Sequence, residues 1–470
     1  MSGEVPVAGP YRQINLPDAG SAPFYVIPFD KDGACTAPRT RAALVSQLAA
    51  GQPSHVFLFS HGWNNTWPSA IKKYEDFITG FARSRAAHPL SGQFRPVLIG
   101  VFWPSAALVQ DEEQAPVIAG GGVDDDAVAE QQTELRMLAE QIDPSRRERF
   151  YELAQSTDLD EDASAELAAL LAPVWAGTPN DGVEPDELGS NPALGAAELL
   201  RVWRNAQTLE SAASDRAPGP LPTPTGPFAP PPGALAGGSA PTGAVGVDDN
   251  PSAAGPLNKL STRNIIRTAT VLLMKDRAGR VGARGVSQLL DAVLSATAAP
   301  VHLVGHSYGC KLVMSALCSL PASARAVESA LLLQPAISYL CFAENVRGLG
   351  GPGGYRPGLT RSRQPILATY SRHDQPLTAL FHLAVRRASD LGEVQIAATP
   401  PSRYCALGGF GPFDAVEAPH IAAQSPGTPY SYPDGARVLG VESSSVIKGH
   451  SDINNAATWW MLLDQVEKSA

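Results

Sequence analysis

Cysteine is scarce in this chain. Its 470 residues include five cysteines, an odd number, and no two of them show a C-x-x-C spacing. The sequence therefore predicts neither a disulfide framework nor a zinc site, and we expect no metal. A reducing compartment fits this usage best. The cysteines stand at positions 35, 310, 318, 341 and 405.

Basic runs and long apolar runs are also missing. The formal net charge is -10 and no stretch is rich in Lys or Arg, which argues against a nucleic-acid-binding surface. No stretch approaches 18 uncharged apolar residues, so we expect no integral membrane segment. Residues 1–20 lack the basic and apolar regions of a signal peptide. We therefore expect a cytoplasmic protein.

Apolar residues are plentiful by contrast. They make up 44% of the chain against 17% charged residues, which is enough for a sizeable core. Short apolar runs alternate with helical patterns both before residue 105 and after residue 260, as in βαβ units with buried parallel strands. We predict an α/β fold with a mostly parallel, doubly wound sheet, built from residues 1–105 and 261–470. The strand candidates are 55–60, 96–103, 301–304, 330–333 and 366–370, with 438–441 and 446–447 supplying the last one.

Residues 106–260 do not show this alternation of short apolar runs and helical patterns, and we interpret them as an insertion. Their first part is acidic and rich in the helix formers Ala, Leu, Glu and Gln. Residues 217–256 are dominated by Pro, Gly, Ala, Ser and Thr, a composition that favours a flexible, partly disordered loop. The predicted helical segments are 126–141, 145–154, 163–172 and 194–213.

Residues 305–309 read Gly-His-Ser-Tyr-Gly, the G-x-S-x-G pattern of a nucleophile elbow. An apolar run that predicts a strand precedes it, and a helical pattern follows. Ser307 would have to adopt a strained conformation, and Gly305 and Gly309 would leave room for the close approach of strand and helix. The alternative is a simple strand-to-helix turn in some other α/β protein. We favour Ser307 as a nucleophile.

A second apolar strand ends in Ser-His-Gly-Trp-Asn-Asn at residues 60–65. Acyl transfer needs two N–H donors for the oxyanion, one from the residue after the nucleophile and one from a loop after an earlier strand. We assign these donors to Tyr308 and Trp63. Asn64 and Asn65 could hold the loop through their side chains. In this loop the predicted substrate-binding residues are His61, Gly62 and Asn64. His306, beside Ser307, is predicted to bind substrate as well. The alternative for His61 is a packing residue.

An acid is expected after Ser307, at the end of a strand. Asp374 lies in the polar turn that follows the strand candidate 366–370, and it is therefore the predicted acid. The alternative is a helix N-cap, because Pro376 could occupy a first helical turn.

The base should follow the acid. His450 lies after the last apolar strand candidate and before the predicted C-terminal helix, where it could project over the sheet edge. His373 and His382 are interpreted as packing or solvated residues, and His420 lies in a polar loop. Asp452 is a competing acid, but we expect it to cap the last helix.

Five blocks, taken in order, resemble a group of bacterial α/β-hydrolases of unassigned physiological role. The resemblance covers about residues 52–105 and 261–460, and it implies the α/β-hydrolase fold and ester hydrolysis by Ser307, Asp374 and His450. It implies no particular substrate. Two features differ from the usual pattern: the insertion precedes the elbow, and the usual lid position holds a Gly-rich loop at 348–354. The blocks are 59–65, 102–105, 275–282, 305–309 and 449–450.

The sequence thus predicts a serine hydrolase that cleaves a small carboxylic ester through an acyl-enzyme, without a cofactor. Lipase activity, acyl transfer or amide cleavage on the same residues are alternatives. A lipase would need a mobile apolar lid, for which Trp175 and Trp203 of the insertion are candidates. A catalytically silent scaffold that binds a partner through the acidic insertion is a further alternative. The sequence names no protein partner.

Overall fold

The fold is described from a computed structural model. The structure describes residues 9–17, 20–89, 93–105, 135–156, 158–176, 196–197, 200, 260–346, 351–374, 376–380 and 405–469. Most of the predicted helix 194–213 lies outside these residues, and so does all of the Pro- and Gly-rich stretch 217–256. The same holds for His382, for the side chains of Trp175 and Trp203, and for residues 348–350 of the Gly-rich loop.

The strands are short and mostly buried. In chain order they are β1 Arg12–Leu16, β2 Gly20–Pro28, β3 His55–Ser60, β4 Pro96–Phe102, β5 Asp158–Leu159, β6 Leu260–Ser261, β7 Val301–His306, β8 Ser329–Leu333, β9 Ile366–Tyr370, β10 His420–Ala422 and β11 Val438–Glu442.

The α-helices alternate with these strands. In chain order they are α1 Pro38–Gly51, α2 Trp67–Ala87, α3 Arg147–Ala154, α4 Glu161–Ala176, α5 Thr262–Arg280, α6 Ser287–Ala296, α7 Tyr308–Cys318, α8 Arg356–Leu359, α9 Leu407–Phe410 and α10 Ala456–Glu467. A π-helical segment, Val281–Val286, joins α5 to α6. No helix among the described residues is long and apolar enough to cross a bilayer.

Within the described residues, nine strands form one sheet in the order β1-β2-β4-β3-β7-β8-β9-β11-β10. Of these nine strands, only β1 pairs antiparallel with its neighbour. Parallel neighbours need crossover connections, which the helices supply. The α/β class and the mostly parallel sheet are thereby confirmed. The predicted contribution of residues 446–447 to the last strand is wrong, since β11 ends at Glu442 and these two residues lie in a turn.

Alternate residues of each central strand face opposite sides of the sheet, as the two-residue repeat of a strand requires. In β3, Val56 and Leu58 pack with α1, α6 and α7, whereas Phe57 and Phe59 pack with α2 and α10. Both faces are therefore covered by helices, which explains why these strands are apolar throughout.

The described part of the insertion is helical and has its own apolar cluster. Residues 135–139, α3 and α4 bury Phe150, Leu167 and Leu171 against the first half of α5, including Ile266 and Ala269. The helix α5 then continues onto the main sheet, where Met274 and Ala278 join the core beside α7. One helix thus belongs to both clusters.

Candidate active site

Ser307 lies at the sharp turn between β7 and α7. Its φ is 55° and its ψ is -123°, a combination that non-glycine residues rarely adopt. A Cβ on Gly309 would lie 2.3 Å from the Ser60 carbonyl oxygen, and one on Gly305 would lie 2.8 Å from the Cys310 Cα. The backbone can make this turn only because both flanking residues are glycines.

The three side chains predicted from the sequence as nucleophile, acid and base meet in one chain of hydrogen bonds. His450 Nε2 lies 2.9 Å from Ser307 Oγ, and His450 Nδ1 lies 2.8 Å from Asp374 Oδ2. A carboxylate can only accept, so Nδ1 carries the proton and Nε2 is left to accept from the serine hydroxyl. The arrangement can therefore move a proton from Ser307 to His450.

Asp374 is fully buried in the turn after β9. Its Oδ1 accepts from the Leu377 N–H at 3.1 Å, and its Oδ2 accepts from Gln334 Nε2 at 2.8 Å as well as from His450. One oxygen thus closes the turn at Pro376, as the N-cap alternative predicted, and the other faces the histidine. The carboxylate is held in place by donors on both oxygens.

Gln334 is a site residue that the sequence reasoning missed. It follows β8 directly, its φ is 46°, and its side chain is fully buried. Thr369 Oγ1 donates to Gln334 Oε1 at 3.0 Å and accepts from the Gln334 N–H at 2.8 Å, which fixes the amide so that its NH₂ group points at Asp374. A polar residue directly after the run Leu-Leu-Leu was the available signal, because parallel strands end at one edge of the sheet.

His306 contacts the base rather than open solvent. Its Nε2 lies 2.9 Å from the His450 carbonyl oxygen, and the two ring centroids are 5.1 Å apart. Burial holds the pKa of His306 well below its ordinary value, so the neutral ring donates through Nε2. These contacts show that His306 supports the loop that carries His450, and its predicted contact with substrate stays a prediction.

The predicted role of Asp452 is wrong. The last helix, α10, is capped by Asn455, whose side chain accepts from the N–H groups of Ala457 and Thr458. Asp452 instead accepts from the Lys448 N–H at 2.8 Å and closes the turn around His450. Asn is as good a cap as Asp, and the sequence offered both within four residues.

The ring of His61 lies inside the loop that was predicted to donate to the oxyanion. Trp103 N–H donates to His61 Nε2 at 3.3 Å, so Nδ1 carries the proton and donates to the Gly62 carbonyl at 2.9 Å. The ring stacks on the Trp103 indole with planes 5° apart, and burial lowers its pKa to about 4. His61 therefore holds the loop in place, as the packing alternative predicted.

Asn65 fixes the orientation of the two preceding peptides, Gly62–Trp63 and Trp63–Asn64. Its Nδ2 donates to the carbonyls of Gly62 and Trp63 at 2.9 and 2.8 Å. In a trans peptide the C=O and the following N–H point in opposite directions, so the Trp63 N–H points away from Asn65. Within the described part of the chain, the loop's hydrogen bonds use the N–H groups of residues 61, 64 and 65, and not that of Trp63.

Gly62 lies against the nucleophile. A Cβ at this position would be 2.7 Å from Ser307 Cβ and 3.1 Å from the His306 carbonyl oxygen. Asn64, at φ 55°, is exposed next to it. The loop thus approaches Ser307 closely on the side where Tyr308 opens α7, and the first N–H groups of a helix point outward from its N-terminus.

The remaining described histidines after Ser307 lie in other surroundings. His373 is half-buried in the turn before Asp374, and His420 bonds to the Tyr370 hydroxyl and the Pro412 carbonyl. The described residues contain no group of three or more His, Cys, Asp or Glu side chains suited to a metal ion.

Comparison with protein-family models, with curated proteins and with solved structures gives no match. The resemblance to bacterial α/β-hydrolases therefore stays a prediction. Function has to be inferred from the geometry.

Proposed function

We propose that this protein is a serine hydrolase of the α/β-hydrolase fold that cleaves carboxylic esters. The proposal rests on one observation: Ser307 Oγ, His450 and Asp374 are joined by hydrogen bonds of 2.9 and 2.8 Å. A hydroxyl activated by an imidazole that a buried carboxylate orients is the arrangement of a nucleophilic acyl-transfer enzyme.

The position of these residues in the sheet supports the fold assignment. Ser307 follows the central strand β7, Asp374 follows β9 and His450 follows β11. Hydrolases of this fold carry Ser, acid and His in that order, with the nucleophile on a strand-to-helix turn.

In the proposed mechanism His450 takes the Ser307 proton while Ser307 Oγ attacks the carbonyl carbon. Asp374 stabilises the imidazolium that forms. The N–H groups of Trp63 and Tyr308 hold the negative charge on the carbonyl oxygen, aided by the N-terminus of α7. His450 then protonates the leaving alcohol, and a water molecule activated by the same imidazole hydrolyses the acyl-enzyme.

Activity-based labelling tests the proposal. A fluorophosphonate probe should label the wild-type protein at Ser307, and Ser307→Ala should abolish labelling while circular dichroism stays unchanged. Ser319→Ala, at the other end of α7, is the matched control and should label normally. A folded wild-type protein that takes no label would instead favour the silent-scaffold alternative.

Substrate panels then separate the enzymatic alternatives. Rates on p-nitrophenyl esters of increasing chain length, compared with the matching anilides, distinguish ester from amide cleavage. Faster turnover of emulsified than of monomeric ester would favour a lipase. We expect the short monomeric esters to be the better substrates.

A further inference from the structure

One helix of the insertion cluster contacts both the turn that carries Tyr308 and the segment that supports the loop of Trp63. On α5, the Val271 carbonyl accepts from the Tyr308 hydroxyl at 3.1 Å, and Arg277 Nη1 donates to the Pro104 carbonyl at 2.8 Å. These residues are six positions apart, about 9 Å along a helix. The helix thus spans from the nucleophile turn to the chain segment at Pro104.

The segment around Pro104 supports the loop of Trp63. The Ser105 carbonyl accepts from the Asn64 N–H at 3.0 Å, and Ser105 Oγ bonds to both the N–H and the carbonyl of Asn65. Trp103 bonds to His61 through its indole and its backbone N–H. Pro104, between these two residues, has no N–H of its own, so its carbonyl is the group by which another residue can hold it.

Arg277 is an unusual residue for this position. Its side chain is 4% exposed, and Met137 of the insertion lies 4.0 Å from its Nη1 through the thioether sulfur. Burial lowers its pKa to about 10, with Glu140 and Asp32 opposing that shift and Arg280 adding to it. A buried guanidinium needs fixed acceptors, because leaving one unmatched is strongly unfavourable. The Pro104 carbonyl is such an acceptor.

We propose that Arg277 is a positioning residue for the oxyanion loop, and that through it the insertion helices set the geometry of the Trp63 donor. This inference rests on the proposed hydrolase function. Arg277 does not touch the reacting atoms; it fixes Pro104, Ser105 then fixes Asn64 and Asn65, and Asn65 orients the Gly62–Trp63 peptide. Small displacements of an oxyanion donor reduce rates strongly because the donor acts mainly on the transition state.

The test compares three variants on the full chain. Arg277→Met removes the donor, Arg277→Lys keeps a charge that can make one bond, and Arg280→Met is the matched control. Arg280 lies on the same helix but reaches Lys31 and Asp32. The measurements are the second-order rate of fluorophosphonate labelling, kcat and KM on p-nitrophenyl acetate, and inhibition by phenylboronic acid, which mimics the tetrahedral state.

We expect Arg277→Met to lower the labelling rate and kcat about tenfold, to weaken boronate inhibition in parallel and to leave KM within about twofold. Arg277→Lys should fall between Arg277→Met and the wild type, and Arg280→Met should match the wild type. Unchanged labelling and kcat in a folded Arg277→Met protein would overturn the inference.

Two further outcomes keep the test decisive. If Arg277→Met does not fold, Arg277→Lys decides: a rate below wild type at an unchanged melting temperature supports the inference, and a wild-type rate overturns it. Failure of the proposed function gives a different result, because the wild-type protein itself would then take no label.

Discussion

The two ends of strand β7 each carry a buried histidine, and the surroundings of the two differ. At the carboxyl end, His306 braces the loop of His450, whose ring has a carboxylate on one side and a hydroxyl on the other. At the amino end, His302 bonds to Ser329 Oγ at 2.8 Å, and its Nε2 is buried without a hydrogen-bond partner among the described residues.

The surroundings of His302 are apolar and positive. Its ring stacks on Phe57 and lies 5.5 Å from the ring of His55, which in turn feels the charge of Arg85. No carboxylate bonds to either ring in the part of the chain that the structure describes. Burial therefore holds the pKa of His302 well below its ordinary value. His450, by contrast, keeps a side chain that is 22% exposed and reaches both partners. His450 thus differs from His302 in its access to solvent and in its carboxylate partner.

The largest expected effect separates the two ends directly. His450→Ala should lower esterase kcat by about 10⁵-fold, since removing the base of such a set removes nearly all of its contribution. His302→Asn, in which the amide can still bond to Ser329, should leave kcat within about threefold. Steady-state kinetics on p-nitrophenyl acetate measure both, and similar losses in the two variants would invalidate the comparison.

Two fully buried aspartates, Asp374 and Asp464, give a second comparison between a proposed catalytic residue and a structural one. Asp374→Asn should lower kcat by about 10⁴-fold, because the base loses the partner that fixes its tautomer. Asp464, on α10, bonds to the Tyr430 N–H and to Lys468, so Asp464→Asn should lower the free energy of unfolding by about 2 kcal/mol with little change in kcat. Urea titration together with kinetics checks both expectations. A large kcat loss in Asp464→Asn would contradict the assignment.

The smallest effect, counted for a single histidine, concerns pH. Burial lowers the pKa of His55 and His61 from 6.5 to about 4, and it holds the pKa of His302 and His306 well below the ordinary value. Below pH 6.5 the unfolded chain binds protons that the native state does not, so stability should fall as the pH drops from 6.5 towards 4. Each such group should contribute about 2 kcal/mol of that loss between pH 7 and pH 5.

The variant His302→Asn sharpens this prediction. The difference in unfolding free energy between pH 7 and pH 5 should be about 2 kcal/mol smaller in the variant than in the wild type, as measured by urea unfolding at both values. An unchanged difference would show that His302 is not held neutral.

The sequence alone was sufficient to predict the central strands and the three side chains that meet beyond their ends. Ser307, Asp374 and His450 each follow an apolar run, and parallel strands bring such positions to one edge. Gln334 was not found, because its role depends on Thr369 of the neighbouring strand, a contact that has no local signature.

Other misses have similar physical causes. The strands β1 and β2 were not predicted, since β1 lies at the sheet edge with little apolar patterning and β2 contains Pro23 and ends at Pro28. Residues 446–447 are too short an apolar run to distinguish a strand from a buried turn. For His61 the packing alternative was predicted, but its partner Trp103, 42 positions away in the chain, was not.

The unusual backbone of Ser307 has a consequence for engineering. A glycine at this position would adopt φ 55° without steric strain, and would relieve roughly 1–3 kcal/mol of conformational energy that the serine has to bear, offset in part by the roughly 0.5–1 kcal/mol that glycine's greater freedom in the unfolded chain costs. Replacing Ser307 by glycine would therefore raise the free energy of unfolding and remove the proposed nucleophile. Directed evolution that selects for thermal stability alone would therefore favour variants that lack Ser307 and the proposed esterase activity.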